Sequence, residues 1–461
     1  MFRYSIRTLG CKANLYDSLV LERELSELGG ERDDKNPDLF LLNSCTVTQS
    51  ADSQCLYEVR ALKKRSPEAW TVVTGCYAEV AEEKIRASLG VDAVINNRGK
   101  RGLKKMVADR FGIALVNDPS AAESDLGAGI YWGQLPVFKG RVRAFLKIQE
   151  GCNDFCTYCI IPYARGKSRS VRPGPLIAEA QRLADAGVRE LVLTGVNIAD
   201  YGLDHGSDPR TSFDDLVEAL LERTTMPRIR LSSLDPSEIS DRLLSMMTAG
   251  GRLMPHFHVS LQSAVSRVLR AMKRAYRAED VEAALERIHA RSSGIFVGMD
   301  VIAGFASETD EEHREGLRRL ERLPWTRLHV FPYSERGGTP AARIPGAVEP
   351  RARFERAREL LELSRVRHEA FVKRYVGKRV DGVLFESAFE AGGDHFVAGH
   401  SPNYLRVMAR MPSRTEEEAR SRSNTIASVR ALGALPKPEQ DWTLEAAIEN
   451  AVFDAGEAGH A

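Results

Sequence analysis

The stretch AFLKIQEGCNDFCTYC, Ala144–Cys159, reads as an apolar strand that runs straight into three thiols. Cys152, Cys156 and Cys159 are spaced by four and three in a chain with only seven cysteines. A structural zinc site takes four ligands, but no fourth cysteine lies nearby and the next histidine downstream is His205. Three thiolates with a vacant fourth position suit a metal centre that must bind something else. In parallel α/β folds the loops beyond the strand carboxyl ends carry the chemistry. In such a fold the cysteine loop, following a strand, marks the working end.

Downstream, ELVLTGV, RIRLSS, FHVSLQ, FVGMDVIAG and LHVFPY continue as strands, with helical segments between them. Together with AFLKIQE this predicts a six-stranded parallel barrel or partial barrel. Asn197, Ser232, Ser233, Gln262, Asp300 and Tyr333 sit at or near the strand ends and outline the mouth of a cavity above the cysteine loop.

Upstream, RYSIRTLGC, DLFLLNSC and AWTVVTGC are three strands that each end in a cysteine, Cys11, Cys45 and Cys76, followed by a helical pattern. Neighbouring parallel strands converge on one crevice, so these thiols are expected to meet as a second three-cysteine site. One cysteine after a strand is an ordinary small core residue; three in the same topological position are not. Cys55 lies inside a helical segment without a partner at ligand spacing and reads as core.

Residues 116–140 are rich in Gly, Pro and Ser and read as a linker. From Arg351 to Arg379 a helical stretch carries ten Lys/Arg against four Glu, leading into the short strands KRVDGVLFES, DHFVAGHS, YLRVMAR and TIASVRAL. A small β-barrel beside a basic helix is a nucleic-acid-binding arrangement, with Arg365, Arg367, Lys373 and Arg374 as candidate phosphate contacts. Residues 436–461 hold six acids against one lysine and read as an acidic tail.

Composition adds boundaries. The 461 residues accommodate two or three domains, and 43% hydrophobic with 28% charged residues describes an ordinary globular protein. A net charge of +1 supplies no whole-chain argument for nucleic acid. MFRYSIRTLGC lacks a signal-peptide pattern and no run of about 18 apolar residues suggests a membrane span. The expectation is a cytoplasmic protein, in which clustered thiols mean metal or catalysis rather than disulfides.

GCNDFCTYCIIPYARG resembles the CxxxCxxC signature of radical S-adenosylmethionine enzymes. With TLGCKANLYDS, NSCTVT and TGCYAE before it, and the small β module after it, the chain resembles the methylthiotransferase family over roughly residues 3–430. The resemblance implies two [4Fe–4S] clusters: an auxiliary one on Cys11, Cys45 and Cys76, and one on Cys152, Cys156 and Cys159 whose open iron binds S-adenosylmethionine. The clusters and S-adenosylmethionine carry the chemistry, and no side chain is assigned as catalytic. An external electron donor is implied. The last module resembles the TRAM domain, which grips the substrate tRNA.

By this resemblance the α/β chain divides into an N-terminal Rossmann-like methylthiotransferase domain (1–115), a linker (116–140), a radical S-adenosylmethionine (β/α)6 partial barrel (141–347), a basic helical connector (348–375), a TRAM-like β-barrel (376–435) and an acidic tail (436–461). TLGCK, YDS, PYARG and PNYLRV look most like the branch that methylthiolates N6-threonylcarbamoyladenosine at tRNA position 37; the isopentenyladenosine branch typically has Gln where Lys12 stands. That substrate carries a carboxylate, for which Arg165, Lys167 and Arg169 are candidate partners. The alternatives are isopentenyladenosine tRNA, a ribosomal-protein aspartate, or, in another class, a non-catalytic iron–sulfur or zinc protein that binds RNA. Two departures touch the expected S-adenosylmethionine pocket: Ala264 where the family has Gly, and Ala306–Ser307 where it has Pro–Gly.

Overall fold

The first layer is a parallel sheet of β1 (Phe2–Thr8), β2 (Gly30–Arg32), β3 (Leu39–Ser44), β4 (Trp70–Gly75) and β5 (Ala93–Ile95), in the order β2-β1-β3-β4-β5. The computed structural model describes residues 1–115, 129–137, 142–205, 212–411, 423–437 and 441–452. β3 is buried along its whole length because helices cover both faces. Its alternation divides the work: Leu39 and Leu41 pack with Tyr16, Leu19 and Val20 of helix Lys12–Glu27, while Phe40 and Leu42 pack with Cys55, Val59 and Leu62 of helix Gln49–Arg65. Cys55 is thus a core side chain, its thiol pushed up to about 12 by burial.

The second unit holds β6 (Arg143–Lys147), β7 (Gln149–Glu150), β8 (Arg169–Ser170), β9 (Glu190–Thr194), β10 (Arg228–Leu231), β11 (Ser233–Leu234), β12 (His256–Gln262), β13 (Phe296–Ala303) and β14 (Arg327–Pro332). The ladders β6-β9-β10 and β11-β12-β13-β14 are parallel throughout. β10 and β11 are one strand interrupted at Ser232, so the strands follow chain order around an open barrel. Helices Pro173–Asp185, Phe213–Arg223, Asp241–Thr248, Ala278–Arg291 and Asp310–Arg322 supply the outer ring. Ser212 with Asp215 and Thr309 with Glu312 form capping boxes that fix where two of them start. Beneath this ring Leu191, Leu193, Ile229, Leu231, Phe257, Val259, Val297 and Met299 point outward into the core.

The expected linker is only partly a linker. Residues 116–128 and 138–140 lie outside the described residues, but Ile130, Tyr131 and Leu135 are buried. Tyr131 donates to Glu24 at 2.9 Å and the Leu135 N–H donates to Glu179 at 2.8 Å, so this segment straps the two units together. Its Gly, Pro and Ser content masked an apolar run that has to be covered.

Helix Pro350–Lys373 leads to a closed barrel of β15 (Arg379–Ala391), β16 (Asp394–His400), β17 (Arg406–Met411), β18 (Ile426–Lys437) and β19 (Asp441–Val452), ordered β15-β16-β17-β19-β18. The expected acidic tail is therefore corrected: residues 441–452 close this barrel, antiparallel to β18 and parallel to β17. Leu444 and Ala446 point inward between Glu445 and the solvent side, a period-two pattern that the count of acids had hidden. The remainder of that segment, 438–440 and 453–461, lies outside the described residues.

Candidate functional site

Three cysteines are introduced by a glycine. Gly10, Gly75 and Gly151 precede Cys11, Cys76 and Cys152 and adopt φ of 94°, 97° and 79°, a region that only glycine enters freely. A Cβ on Gly10 would stand 2.5 Å from the Cys45 sulfur; on Gly75 or Gly151 it would collide with the carbonyl oxygens of Ser44 or Lys167. Close approach, not looseness, is what these glycines provide. Because β1, β3 and β4 are adjacent, Cys11, Cys45 and Cys76 emerge at one edge. Burial pushes the Cys45 thiol up to about 11, and Cys76 and Cys11 push it further, so the three share one neighbourhood.

The second set lies on the loop between β7 and β8, whose ladder Gln149↔Ser170 and Glu150↔Arg169 closes its base. Burial pushes the Cys159 thiol up to about 12, with Cys156 adding to it, and raises Cys152 as well. Desolvated thiols keep their protons at neutral pH unless a cation draws off the charge. Among the described residues no three His, Cys, Asp or Glu side chains are placed to hold one metal ion. Thiolates on an iron–sulfur cube each hold a different iron, whereas those on a zinc ion share one.

Arg165 stands between the two sets. It ends the short helix Ile161–Arg165 and is buried. Its guanidinium donates to Glu150 at 2.6 Å, to Asn14, to Asp17 at 3.3 Å and, through Nε, to the Cys76 sulfur at 3.3 Å. Asp17 also binds Lys100 at 2.7 Å and Lys147, and Lys147 reaches Glu150 at 3.3 Å. Burial alone would raise the Asp17 carboxyl, but Lys100, Lys147 and Arg165 outweigh it and hold it well below the usual range. Three cations meet two carboxylates here, and the Asn14 amide oxygen and the Cys76 sulfur are the further acceptors. A second guanidinium, Arg274, donates to the Cys156 sulfur at 3.0 Å and pairs with Asp235.

The first unit bridges the mouth of the barrel. On one side Asp17 binds Lys147 of β6, and Asn97 donates to the Ala164 carbonyl at 2.7 Å. On the other, beyond β14, Arg336 binds Asp52 at 2.9 Å and Gln49 donates to the Glu335 carbonyl at 3.1 Å.

With the alternate strand residues packed under the helices, the other register faces the lumen. It is polar, unlike the branched aliphatic filling of a closed eight-stranded barrel. Glu190 pairs with Arg143 at 2.7 Å and with Arg228 and Arg230 at 2.8 Å. His258 lies 2.8 Å from Asp300 and 5.0 Å, ring to ring, from His329. The amino-terminal end of the lumen is closed by residues 401–405 of the small barrel. Arg228 donates to the carbonyls of Gly382, His400 and Ser401 at 3.0–3.2 Å, and Arg230 to that of Pro402 at 3.0 Å. Tyr404, at φ 65°, lies 4.6 Å from His256, 4.7 Å from His400 and 4.7 Å from the Arg230 guanidinium carbon.

The other expected contacts are distributed differently. Arg165 is committed to the buried network rather than open to a substrate. Arg169 donates to the Gly129 and Arg165 carbonyls at 2.7 and 2.8 Å; Lys167 is exposed. Arg367 caps the end of helix Asp310–Arg322 through the Leu323 carbonyl at 2.8 Å and lies over Trp325, which removes it from the surface set. Arg365 pairs with Glu362 and Glu369, and Lys373 with Glu369, while Arg374 is exposed. Sequence reasoning missed Arg274, Asp17 and Lys147; none carries a motif of its own, and only their burial exposes them.

Both departures are accommodated. Ala264 has an ordinary φ and its methyl is buried in the core. Ser307 sits at φ 66°, where glycine is at ease. Ser307→Gly should therefore stabilise the protein by about 0.5–1 kcal/mol, after loss of the exposed Arg267–Ser307 hydrogen bond; urea unfolding midpoints measure it.

Residues 3–96 match the family described as "Uncharacterized protein family UPF0004" and residues 146–320 the Radical SAM superfamily. The threonylcarbamoyladenosine tRNA methylthiotransferase MtaB of Bacillus subtilis (strain 168) is 35% identical over 88% of this chain and 90% of its own length. The enzyme of that name from Rickettsia prowazekii (strain Madrid E) is 34% identical over 88% and 93%. The tRNA-2-methylthio-N(6)-dimethylallyladenosine synthase of Bacillus subtilis (strain 168) is 32% identical over 87% and 79%. Among solved structures, the radical S-adenosylmethionine methyltransferase TsrM from Kitasatospora setae shares the fold, with a TM-score of 0.52, 14% identity, and coverage of 85% of this chain and 79% of its own. Two cysteine sets meeting at one barrel mouth, and relatives matched over nearly their whole length, lead to one assignment: the chain belongs to the tRNA methylthiotransferase family of radical S-adenosylmethionine enzymes.

Proposed function

We propose that this enzyme adds a methylthio group to C2 of N6-threonylcarbamoyladenosine at position 37 of tRNA. Relatives of 34–35% identity carry that specificity in their names. The observation that carries the reading is Arg165, whose buried guanidinium touches both Cys76 and Glu150, two residues before Cys152. It ties the two cysteine sets into one unit at one mouth. In this reading Cys11, Cys45 and Cys76 hold an auxiliary [4Fe–4S] cluster, and Cys152, Cys156 and Cys159 hold the one that binds S-adenosylmethionine. When bound, these groups supply the one-electron and sulfur chemistry that an adenine C2–H bond, inert to acids and bases, requires.

The chain's own residues do the rest. Arg165 and Arg274 offset negative charge at the Cys76 and Cys156 sulfurs. The polar lumen receives the nucleoside, the floor at Tyr404 limits how far it enters, and the exposed Lys373, Arg374, Lys378 and Arg379 beside the small barrel take RNA phosphates. An external donor supplies electrons, and a cytoplasmic setting supplies the tRNA; no described helix is long and apolar enough to cross a membrane.

Mass spectrometry of nucleosides from total tRNA, with and without this gene, tests the reading. Selective loss of 2-methylthio-threonylcarbamoyladenosine is the expected result. Loss of the isopentenyl form instead would move the enzyme to the neighbouring branch, and unchanged tRNA would turn attention to a ribosomal protein.

A further inference from the structure

A glycine in the lumen wall brings two histidines together. In register, Gly298 of β13 stands between His258 of β12 and Arg327 of β14, and Asp300 lies opposite His329. Phe257, Val259, Val297, Met299 and Leu328 pack outward under the helices, so His258, Gly298, Asp300, Arg327 and His329 share the inner face. The His258 and His329 rings meet across the glycine with centroids 5.0 Å apart. A Cβ on Gly298 would find only ordinary contacts: the Phe296 edge at 3.5 Å, His329 Nε2 at 3.7 Å and His258 Nδ1 at 3.8 Å. The glycine therefore keeps a methyl-sized gap open beside both rings. Asp300 decides what His258 can bind. Its carboxylate lies 2.8 Å from His258 Nε2 and takes the proton there, so the neutral ring turns the lone pair of Nδ1 toward Gly298. Among the described residues none donates to that nitrogen. The two side chains are 20% and 22% exposed, so the pair is open to the lumen rather than sealed in the wall.

Depth selects the donor. His258 and Gly298 lie in the first halves of β12 and β13, and the Phe296 ring is 6.2 Å from that of Tyr404 at the floor. The adenine C2 has to stay at the opposite end, beside the cysteine loop at the strand carboxyl ends. The part of the nucleoside free to reach this layer is its N6 substituent. We infer that His258 is a specificity residue: its Nδ1 accepts a hydrogen bond from the N–H or O–H of the threonylcarbamoyl group, and Asp300 is the positioning residue that fixes the ring. The inference rests on the substrate proposed above. An isopentenyl tail carries neither donor and would leave the acceptor unpaired. Sites built for a polar group reject analogues that lack it far more strongly than apolar pockets reject a size mismatch.

Two substitutions separate a binding role from a scaffolding one. In His258→Asn the amide oxygen stands near the place of Nδ1, which keeps the acceptor and gives up the reach to Asp300. In His258→Gln the longer amide reaches the place of Nε2, which keeps the partner of Asp300 and loses the acceptor. Methylthiolation of an anticodon stem-loop RNA carrying threonylcarbamoyladenosine is measured with anaerobic, cluster-loaded enzyme, and iron content is followed as the check on folding. His258→Asn should stay within about fivefold of wild type in kcat/KM, whereas His258→Gln should lose about 10- to 100-fold, mostly through KM. The reverse order, or equal activity of the two variants, would make the pair a scaffold and overturn the inference alone. If either variant loses iron, Gly298→Ala decides: its methyl fills the gap beside Nδ1 and should raise KM for the same RNA about 10-fold, and an unchanged KM overturns the inference. Wild type that converts isopentenyl RNA and leaves threonylcarbamoyl RNA untouched overturns the substrate reading, and the inference falls with it.

Discussion

Cys152→Ala should abolish S-adenosylmethionine cleavage and halve the iron of anaerobically prepared protein, from about eight atoms to about four, if both sites hold cubanes. The two sets lie on separate units with separate backbones, Cys11, Cys45 and Cys76 behind β1, β3 and β4, and Cys152 behind the β7 turn. Loss of one ligand should therefore empty one site only. Cys55→Ala is the control, since Cys55 is fully buried among Phe40, Leu42 and Val59. It should cost about 1 kcal/mol as a small core truncation and leave the iron unchanged. Iron, acid-labile sulfide and methionine release are the measurements. A Cys55 variant that loses a whole cluster would break the ligand assignment.

Asp17→Asn should be the most destabilising single polar change. It leaves Lys100 without its partner and Lys147 and Arg165 with Glu150 alone, all in a buried site. Removing one member of a buried charge network costs about 3–5 kcal/mol, because the remaining charges stay desolvated. Asp17 sits on the first unit and Lys147 and Arg165 on the second, so the domain seam should open before the sheets melt, read as protease susceptibility that rises before the loss of sheet signal. The pH dependence has a definite sign. The folded Asp17 carboxyl is held below its unfolded value of about 3.9. Its contribution is therefore full above that value and is lost as pH falls toward the folded value. Wild type should weaken progressively below about pH 4, and Asp17→Asn should lack that part of the slope. Denaturant unfolding from pH 3 to 7 reads both effects; equal stability of variant and wild type at pH 7 would contradict the network's role.

The placement of Cys11, Cys45 and Cys76 at one sheet edge, and of Cys152 on a loop at the barrel's strand ends, was legible because each rests on local signals. A strand pattern, a glycine and a cysteine recur at Gly10–Cys11, Gly75–Cys76 and Gly151–Cys152, and adjacent parallel strands do the gathering. The six-stranded barrel was legible for the same reason, since alternation and helix caps are written within a few residues. What could not be read are contacts between distant segments. Asp17 and Lys147 are separated by 130 positions, and a lone Asp inside an amphipathic helix looks like a solvent-facing residue. Arg165 was noticed but given to the substrate, because a cation after a cysteine motif says nothing about which way it points. The strap at Ile130–Leu135 and the strand β19 were obscured by composition, turn formers in one and acids in the other, while the short apolar alternation inside them decided the fold.

Tyr404 bears on how such an enzyme can be inherited. The small barrel does not hang from its helix as a separable handle: its 401–405 loop closes one end of the lumen, three of its backbone carbonyls, at Gly382, His400 and Ser401, are anchored by Arg228, and the Tyr404 ring is held among two histidines and an arginine. Exchanging this module for an unrelated domain would leave the lumen open at that end, with Glu190 and its arginines exposed to water. Descendants of this architecture are thus constrained to keep the floor loop with the module. Recombination between lineages is expected to succeed when the crossover falls before helix Pro350–Lys373 and the residues facing the loop, Arg228, Arg230 and His256, are exchanged together with it.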